Sequence, residues 1–308
     1  MKIEYLRHTQ IDKLRWDTAI RNSLNGLVYG YSWFLDAMAG HAWDALVVDD
    51  YKAVFPLVWK RKFGIPYLYQ PFFTQQLGLF STSEISMELM NACIEAIPKK
   101  FRYWNFHLNT ENSFFTPDTA FVMRTTYCID LQQHYTEIYD SYNADAKKNL
   151  RKIETLDYSI SKVVAPEVAA DVFFAAYGSH YKNSEALKPK IVACAHQALQ
   201  YNMGFTRAVY GPGGELWCAG FFFKSNGTIH YAMAAPTEAG KHHGITHLLI
   251  DAVLKEFAGT PYVFDFEGSD IPSVAFFYAK FGAKARYYTQ IINNRMPRWT
   301  RVFMKKGL

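Results

Sequence analysis

The sequence predicts an α/β (α+β) chain of two similar domains, each a mixed, mostly antiparallel sheet flanked by helices. Two observations lead there. At 308 residues, 50% hydrophobic and 20% charged, the chain has the length for two domains of ordinary size and the composition of a folded protein. Each half also repeats one order: two adjacent strands around a tight turn, then a further strand and a helix.

In the first half, a strand is expected near Ile3, then helices around Ile11 to Arg21 and Tyr31 to Ala39. Strands at Ala45 to Val48 and Ala53 to Trp59 join at Asp49-Asp50. A helix at Glu84 to Ile97 and strands at Tyr103 to His107 and Val122 to Leu131 complete this half. The second half opens with a basic helix at Ala144 to Glu154 and continues strand, helix, helix, the last at Ile191 to Tyr201. Strands Phe205 to Tyr210 and Leu216 to Phe223 turn at Gly211-Pro212-Gly213-Gly214, and Ile229 to Ala235 forms another strand. The boundary is placed near residue 144, giving domains 1–143 and 144–308. No Pro/Gly/Ser-rich linker marks it, so the two domains are expected to pack tightly.

Chemistry concentrates near the end of the chain. Beyond the turn Pro236 to Lys241, apolar residues recur at Ile245, Leu248, Leu249, Ala252 and Val253, so a helix starts near Gly244. A helix N-terminus presents unpaired N–H groups and the positive end of the macrodipole, and Gly240 and Gly244 remove side chains that would block a close approach. A phosphate suits that place, with Lys241, His242 and His243 as donors. The plainer reading is a turn glycine and a polar helix entry. Downstream, V-F-D-F puts Val263 and Asp265 on one face of a strand and Phe264 and Phe266 on the other; Glu267-Gly268-Ser269 closes it and brings two carboxylates to one strand end. Pro272 suits a helix first turn, and Val274, Phe277, Tyr278 and Phe281 form an apolar stripe that ends at Gly282. Tyr278 lies on the packed side; core packing with a satisfied hydroxyl is its structural reading.

At this point the chain resembles the GNAT N-acyltransferase superfamily. Its pyrophosphate loop, Q/R-x-x-G-x-G/A, is matched by Lys241 to Thr246, K-H-H-G-I-T, with Lys for Gln/Arg and Thr for the last small residue. Its later helix motif is matched by Val274, Phe277, Tyr278, Gly282 and Ala283, with Ala for Phe. Ser32-Trp33-Phe34-Leu35, Gln75-Gln76-Leu77-Gly78-Leu79, Lys148-Asn149-Leu150-Arg151-Lys152 and D-F-E-G-S extend the likeness over nearly the whole chain, to the FemAB-like proteins with two GNAT-type domains in tandem. Some members of that group resemble acetyltransferases; the founding ones move amino acids from aminoacyl-tRNA onto a peptidoglycan precursor.

The resemblance implies an N-acyltransferase with its chemistry in the second half. Acyl transfer to an amine needs a neutral amine, a polarised carbonyl and a protonated leaving group. Asp265 or Glu267 is expected to take the ammonium proton, with His230 as a further base, and Tyr278 to protonate the leaving group as its counterpart does in many GNAT enzymes. Backbone N–H groups from Met233 to Ala235 would hold the acyl arm, and Lys241, His242, His243, Gly244 and Thr246 the donor. Acetyl-CoA or another acyl-CoA is the expected donor substrate, with no tightly bound cofactor; aminoacyl-tRNA is the alternative, and a degenerate, non-catalytic binding protein the other. The acceptor is a primary amine of a small molecule, peptide or cell-envelope precursor. For it, Tyr69, Gln75 and Gln76 could line a groove and Arg151 and Ser269 supply contacts, although such residues are also ordinary interface and solvated surface.

Composition narrows the field. A net charge of +5 suits phosphorylated donors but is far from that of a dedicated DNA binder. Cys93, Cys128, Cys194 and Cys218 are far apart without CxxC spacing, so no zinc site is expected; Cys128 and Cys218 sit in apolar runs and should be buried thiols. No N-terminal signal and no apolar run of about 18 residues is present, so the expected compartment is the reducing cytoplasm.

Overall fold

The computed structural model of the chain describes residues 1–113, 120–181, 183–268 and 270–296. The chain divides into two compact units, Met1–Arg124 with Tyr287–Leu308, and Thr125–Arg286. Both crossings run through strands, Ala120–Asp130 and Lys284–Asn294, so no linker composition accompanies them. Residue 144, where the sequence suggested a boundary, begins a helix of the second unit.

In the first unit the sheet order is Ile3–Leu6, Trp43–Val48, Ala53–Lys62, Ile65–Tyr69, Tyr103–His107 and Lys284–Asn294, with Phe80–Ser81 added beside Ala53–Lys62. Every pairing is antiparallel except Ile65–Tyr69 with Tyr103–His107. The turn between the second and third strands works because Asp49, Asp50 and Tyr51 all take positive φ, 40°, 61° and 71°. Trp43–Val48 is buried along its whole length, and its Leu46 and Val48 join Phe55, Leu57, Met90, Phe101, Phe106 and Ile291 in a core of this unit. Helix Met87–Glu95 covers the core, its first turn closed by the Ser86 hydroxyl accepting from the Leu89 N–H at 3.1 Å.

In the second unit the order is Ser159–Ser161, Gly204–Tyr210, Leu216–Ser225, Thr228–Pro236, Val263–Asp265 and the later half of Ala120–Asp130. Again one pair alone is parallel, Thr228–Pro236 with Val263–Asp265. The strands of the two units therefore share one pattern of direction: three antiparallel steps, one parallel, one antiparallel. Only the origin of the sixth strand differs, from the end of the chain in the first unit and from the strand entering the unit in the second. Within each unit the strands are mixed and mostly antiparallel and are flanked by helices, as expected. The second core gathers Trp217, Phe222, Ile229, Leu249, Val253, Phe264, Phe266 and Phe281 under helices Ala144–Ile153, Thr246–Phe257 and Pro272–Ala279.

Some elements differ from the pattern reading. Strands Ile65–Tyr69 and Lys284–Asn294 and helix Tyr135–Asp140 are additional. The helix expected from Ile191 starts at Ser184, because the chain carries Pro189 inside it where a sequence reading places a stop. The turn expected at Pro236 to Lys241 holds a short helix, Glu238–Lys241, capped by the Thr237 hydroxyl.

Candidate active site

The site grows from the parallel pair of the second unit. Thr228 is opposite Val263, Ile229 opposite Phe264 and His230 opposite Asp265, and there the pairing ends. The longer strand continues to Pro236 beside Leu216–Ser225, with a register irregularity: Phe221 faces Met233 and Phe223 faces His230. One extra residue therefore sits between His230 and Met233, a bulge that locally re-aims Tyr231. Met233 and Ala235 are fully buried on the continuing strand, in register with Phe221 and Ala219.

On the other strand the extended backbone stops at Asp265. Phe266 still donates its N–H to the Tyr127 carbonyl at 2.9 Å, and then Glu267 and Gly268 turn at φ 57° and 61°. Two hydrogen bonds hold Asp265: its Oδ1 accepts from the Thr126 hydroxyl and, at 2.8 Å, from the Glu267 N–H. The two carboxylates thus have different situations. Asp265 is 5% exposed and fixes the backbone of Glu267, while the Glu267 carboxylate is the more accessible. Burial pushes the Asp265 carboxyl from its ordinary 3.8 up to about 6, against the hydrogen bonds from Thr126 and Glu267 and the charge of Arg286. The cause is desolvation.

That shift makes a pH prediction. An acid with a raised folded pKa stabilises the fold fully below its unfolded value and loses that contribution as pH rises through about 6. Asp265→Asn keeps an acceptor for Thr126 and for the Glu267 N–H. It is expected to melt above the parent at pH 8, by up to about 3 kcal/mol of stability, with the gain vanishing toward pH 4. Melting curves of both proteins across that range check it; a pH-independent difference contradicts it.

His230 is fully buried, and burial pushes its imidazole down to about 3. Its Nδ1 lies 3.7 Å from Glu267 Oε1. Burial keeps this imidazole uncharged at physiological pH, next to the Glu267 carboxylate. Tyr278 is 9% exposed, stacked on Phe266 at 4.5 Å and edge-on to Tyr231 at 6.4 Å. Burial first, and then the charge of Glu267, raise its pKa, so its hydroxyl stays protonated. Tyr181, from the turn after helix Pro166–Tyr177, is likewise raised by burial and then by the Glu267 charge. That helix packs on strands Leu216–Ser225 and Thr228–Pro236. Tyr231 and Tyr181 are additions to the expected set. A bulge has no residue signature, and the helix that delivers Tyr181 is about 85 residues upstream of Glu267 in the chain.

The turn at 237–246 is built differently from the expected open cradle. The N–H groups of Lys241, His243, Gly244, Ile245 and His247 donate to carbonyls of Thr237, Gly240, Lys241, Gly240 and Gly244. Gly240 is required by the protein itself, since a Cβ there would come 1.9 Å from the Trp217 carbonyl oxygen. Gly244 has φ +67°, with the Asn149 side chain of the basic helix the first atom a Cβ would meet, at 3.6 Å. Thr246 turns its hydroxyl toward the Cys218 thiol, and that thiol is pushed up to about 12 by burial. His243 stacks against Trp217 at 4.7 Å, His242 is exposed, and exposed Lys241 pairs with Glu238. An anion at this turn would meet cationic side chains more than free amides.

The expected acceptor contacts are spread out. Tyr69, Gln75 and Gln76 belong to the first unit: Lys60 lies over the Tyr69 ring at 4.1 Å, Gln76 donates to Gln75 Oε1 at 2.8 Å, and Gln76 Oε1 accepts from the Thr110 N–H at 3.1 Å. Tyr69 also lines a small apolar pocket with Leu57, Leu68, Leu77 and Phe106. Arg151 is exposed on the basic helix of the second unit, whose residue Asn149 flanks Gly244. Ser269 lies outside the described residues. All four cysteines are buried and free. Among the described residues no helix is long and apolar enough to cross a membrane.

The strand pattern repeated in the two units, each with a single parallel pair, is that of a GNAT-like fold of FemAB type with two GNAT-like domains, which solved structures share. Among solved structures, the crystal structure of FemX superposes with a TM-score of 0.68 over 100% of both chains at 9% identity. The C-terminal domain (DUF2156) of a putative lysylphosphatidylglycerol synthetase from Agrobacterium fabrum gives 0.56 at 9% identity, over 96% of this chain and 95% of that one. A tandem GNAT protein from the clavulanic acid biosynthesis pathway gives 0.50 at 11% identity, over 96% and 99%. No family model and no curated protein matches the sequence.

Proposed function

We propose that the chain is an N-acyltransferase that moves an acyl group from acyl-CoA to a primary amine, with the reaction centre in the second unit. The observation that carries this is the end of the parallel pair, where a left-handed turn presents the Glu267 carboxylate beside a protonated Tyr278. The acceptor nitrogen attacks the acyl carbonyl, its proton passes to Glu267 directly or through a water, and the thiolate leaves with a proton from the Tyr278 hydroxyl. Asp265 acts at one remove, holding the Glu267 backbone. Met233 and Ala235 line the strand along which the acyl arm would lie. Cationic Lys241, with His242 and His243, would meet the donor's phosphates.

A second reading has its own support. The Ala144–Ile153 helix carries Lys147, Lys148, Arg151 and Lys152, and its Asn149 adjoins Gly244. A basic surface beside the turn suits a longer polyanion, so aminoacyl-tRNA is the alternative donor, with a tRNA hydroxyl as the leaving group.

Calorimetric titration with acetyl-CoA tests the first reading. Lys241→Glu is expected to weaken binding by about 1–3 kcal/mol, the worth of a charge-assisted contact, with the loss shrinking as salt is added. Unchanged affinity in the variant, or none in the parent, removes acyl-CoA from this turn and moves the assignment to the tRNA donor or to a non-catalytic protein.

A further inference from the structure

We propose that the first unit carries a binding site for a divalent transition ion, built by His8, Asp36 and His41, which fastens the N-terminal turn to the helix Ser32–Ala39. The spacing of the cysteines gave no reason to expect a metal, and this constellation uses none of them. His8 comes from the 3₁₀ turn His8–Gln10, Asp36 from the second turn of the helix, and His41 from just beyond its end. One ligand atom from each lies within 4.8 Å of the other two.

Two of the three are already arranged as neighbouring ligands. His8 Nε2 is 2.9 Å from Asp36 Oδ1. Two donors bound to one ion at about 2.0–2.1 Å each stand about 3 Å apart, so an ion can replace the proton between them with little movement. Their orientation is fixed from behind. The His8 ring stands edge-on to Trp43 at 5.2 Å, and its backbone N–H donates to Asp44 Oδ1 at 3.1 Å. Asp36 Oδ1 also accepts from Trp43 Nε1 at 2.9 Å, and its Oδ2 from the Lys13 ammonium. Outer hydrogen bonds of this kind hold ligating carboxylates in metal sites. Against the upward push of burial, the contacts from Lys13, Trp43 and His8 keep the Asp36 carboxyl below its usual range, so it is charged.

The third ligand is the adjustable one. His41 is exposed and follows Gly40, whose φ of +66° turns the chain back at the helix end. Its ring centroid is 4.8 Å from that of His8, and a side-chain rotation closes the remaining distance. Two imidazoles and one carboxylate favour Zn²⁺ and its first-row neighbours over Ca²⁺ or Mg²⁺, with water in the fourth position.

Isothermal titration of the full chain with zinc chloride, after chelator treatment, tests this. One Zn²⁺ per chain is expected to bind saturably and to raise the melting temperature. His41→Asn, a change at an exposed position, is expected to lower affinity about tenfold or more, and His8→Gln likewise. A His242→Asn, His243→Asn double variant should bind as the parent does. Absence of saturable binding, unchanged affinity in His41→Asn, or loss of binding in the double variant would overturn the site.

Discussion

Glu267→Gln is expected to lower turnover about 10²-fold or more while leaving donor binding and the fold in place. The substitution keeps shape and hydrogen-bonding capacity but removes the one accessible carboxylate at the end of the parallel pair. The Glu267 N–H, which Asp265 holds, survives it. Tyr278→Phe is expected to cost less, because solvent can protonate a thiolate. The discriminating measurement is turnover per folded molecule together with melting temperature. A lower melting temperature with unchanged turnover would reduce Glu267 to a structural residue that completes the turn after Asp265.

The other large effect is on stability. Gly240→Ala is expected to cost about 3 kcal/mol, or about 6–12 °C of melting temperature for a unit of this size. Its Cβ would come 1.9 Å from the Trp217 carbonyl oxygen and 2.9 Å from Ile245 Cγ2. Backbone cannot yield there without moving the carbonyl that accepts the Thr237 N–H at 2.9 Å, and Thr237 caps the short helix Glu238–Lys241. Gly244→Ala, by contrast, is expected to cost about 1 kcal/mol, the strain of its +67° φ, since nothing lies closer than 3.6 Å. Equal melting temperatures for the two variants would refute the packing account of Gly240.

This pair of glycines shows how far the sequence could be read. Both looked like clearance for a phosphate, because a glycine in a chain does not reveal whether its missing side chain makes way for a ligand or for the protein's own backbone. Strand periodicity located Trp43–Val48, Leu216–Ser225 and Thr228–Pro236 well, since buried strands in a sheet centre are long apolar runs. It passed over Lys284–Asn294, a strand of alternating burial that begins with four exposed residues. The carboxylates of D-F-E were correctly seen to meet at a strand end. Their separate situations depend on Thr126, which is 139 residues away in sequence, and on a left-handed turn at Glu267, a conformation that glutamate rarely advertises. Tyr231, edge-on to Tyr278 beside a bulge, and Tyr181, brought toward Glu267 from a distant helix, were equally out of reach.

The central claim is that the second unit binds an activated acyl donor and that Glu267 then acts on the acceptor. Thermal unfolding of the parent and of Glu267→Gln with acetyl-CoA, a longer acyl-CoA and aminoacyl-tRNA tests it most directly, because a ligand that binds the native state alone raises the melting point. The account predicts that one donor class raises both proteins equally. No rise with any donor, or a rise abolished by Glu267→Gln, would contradict it.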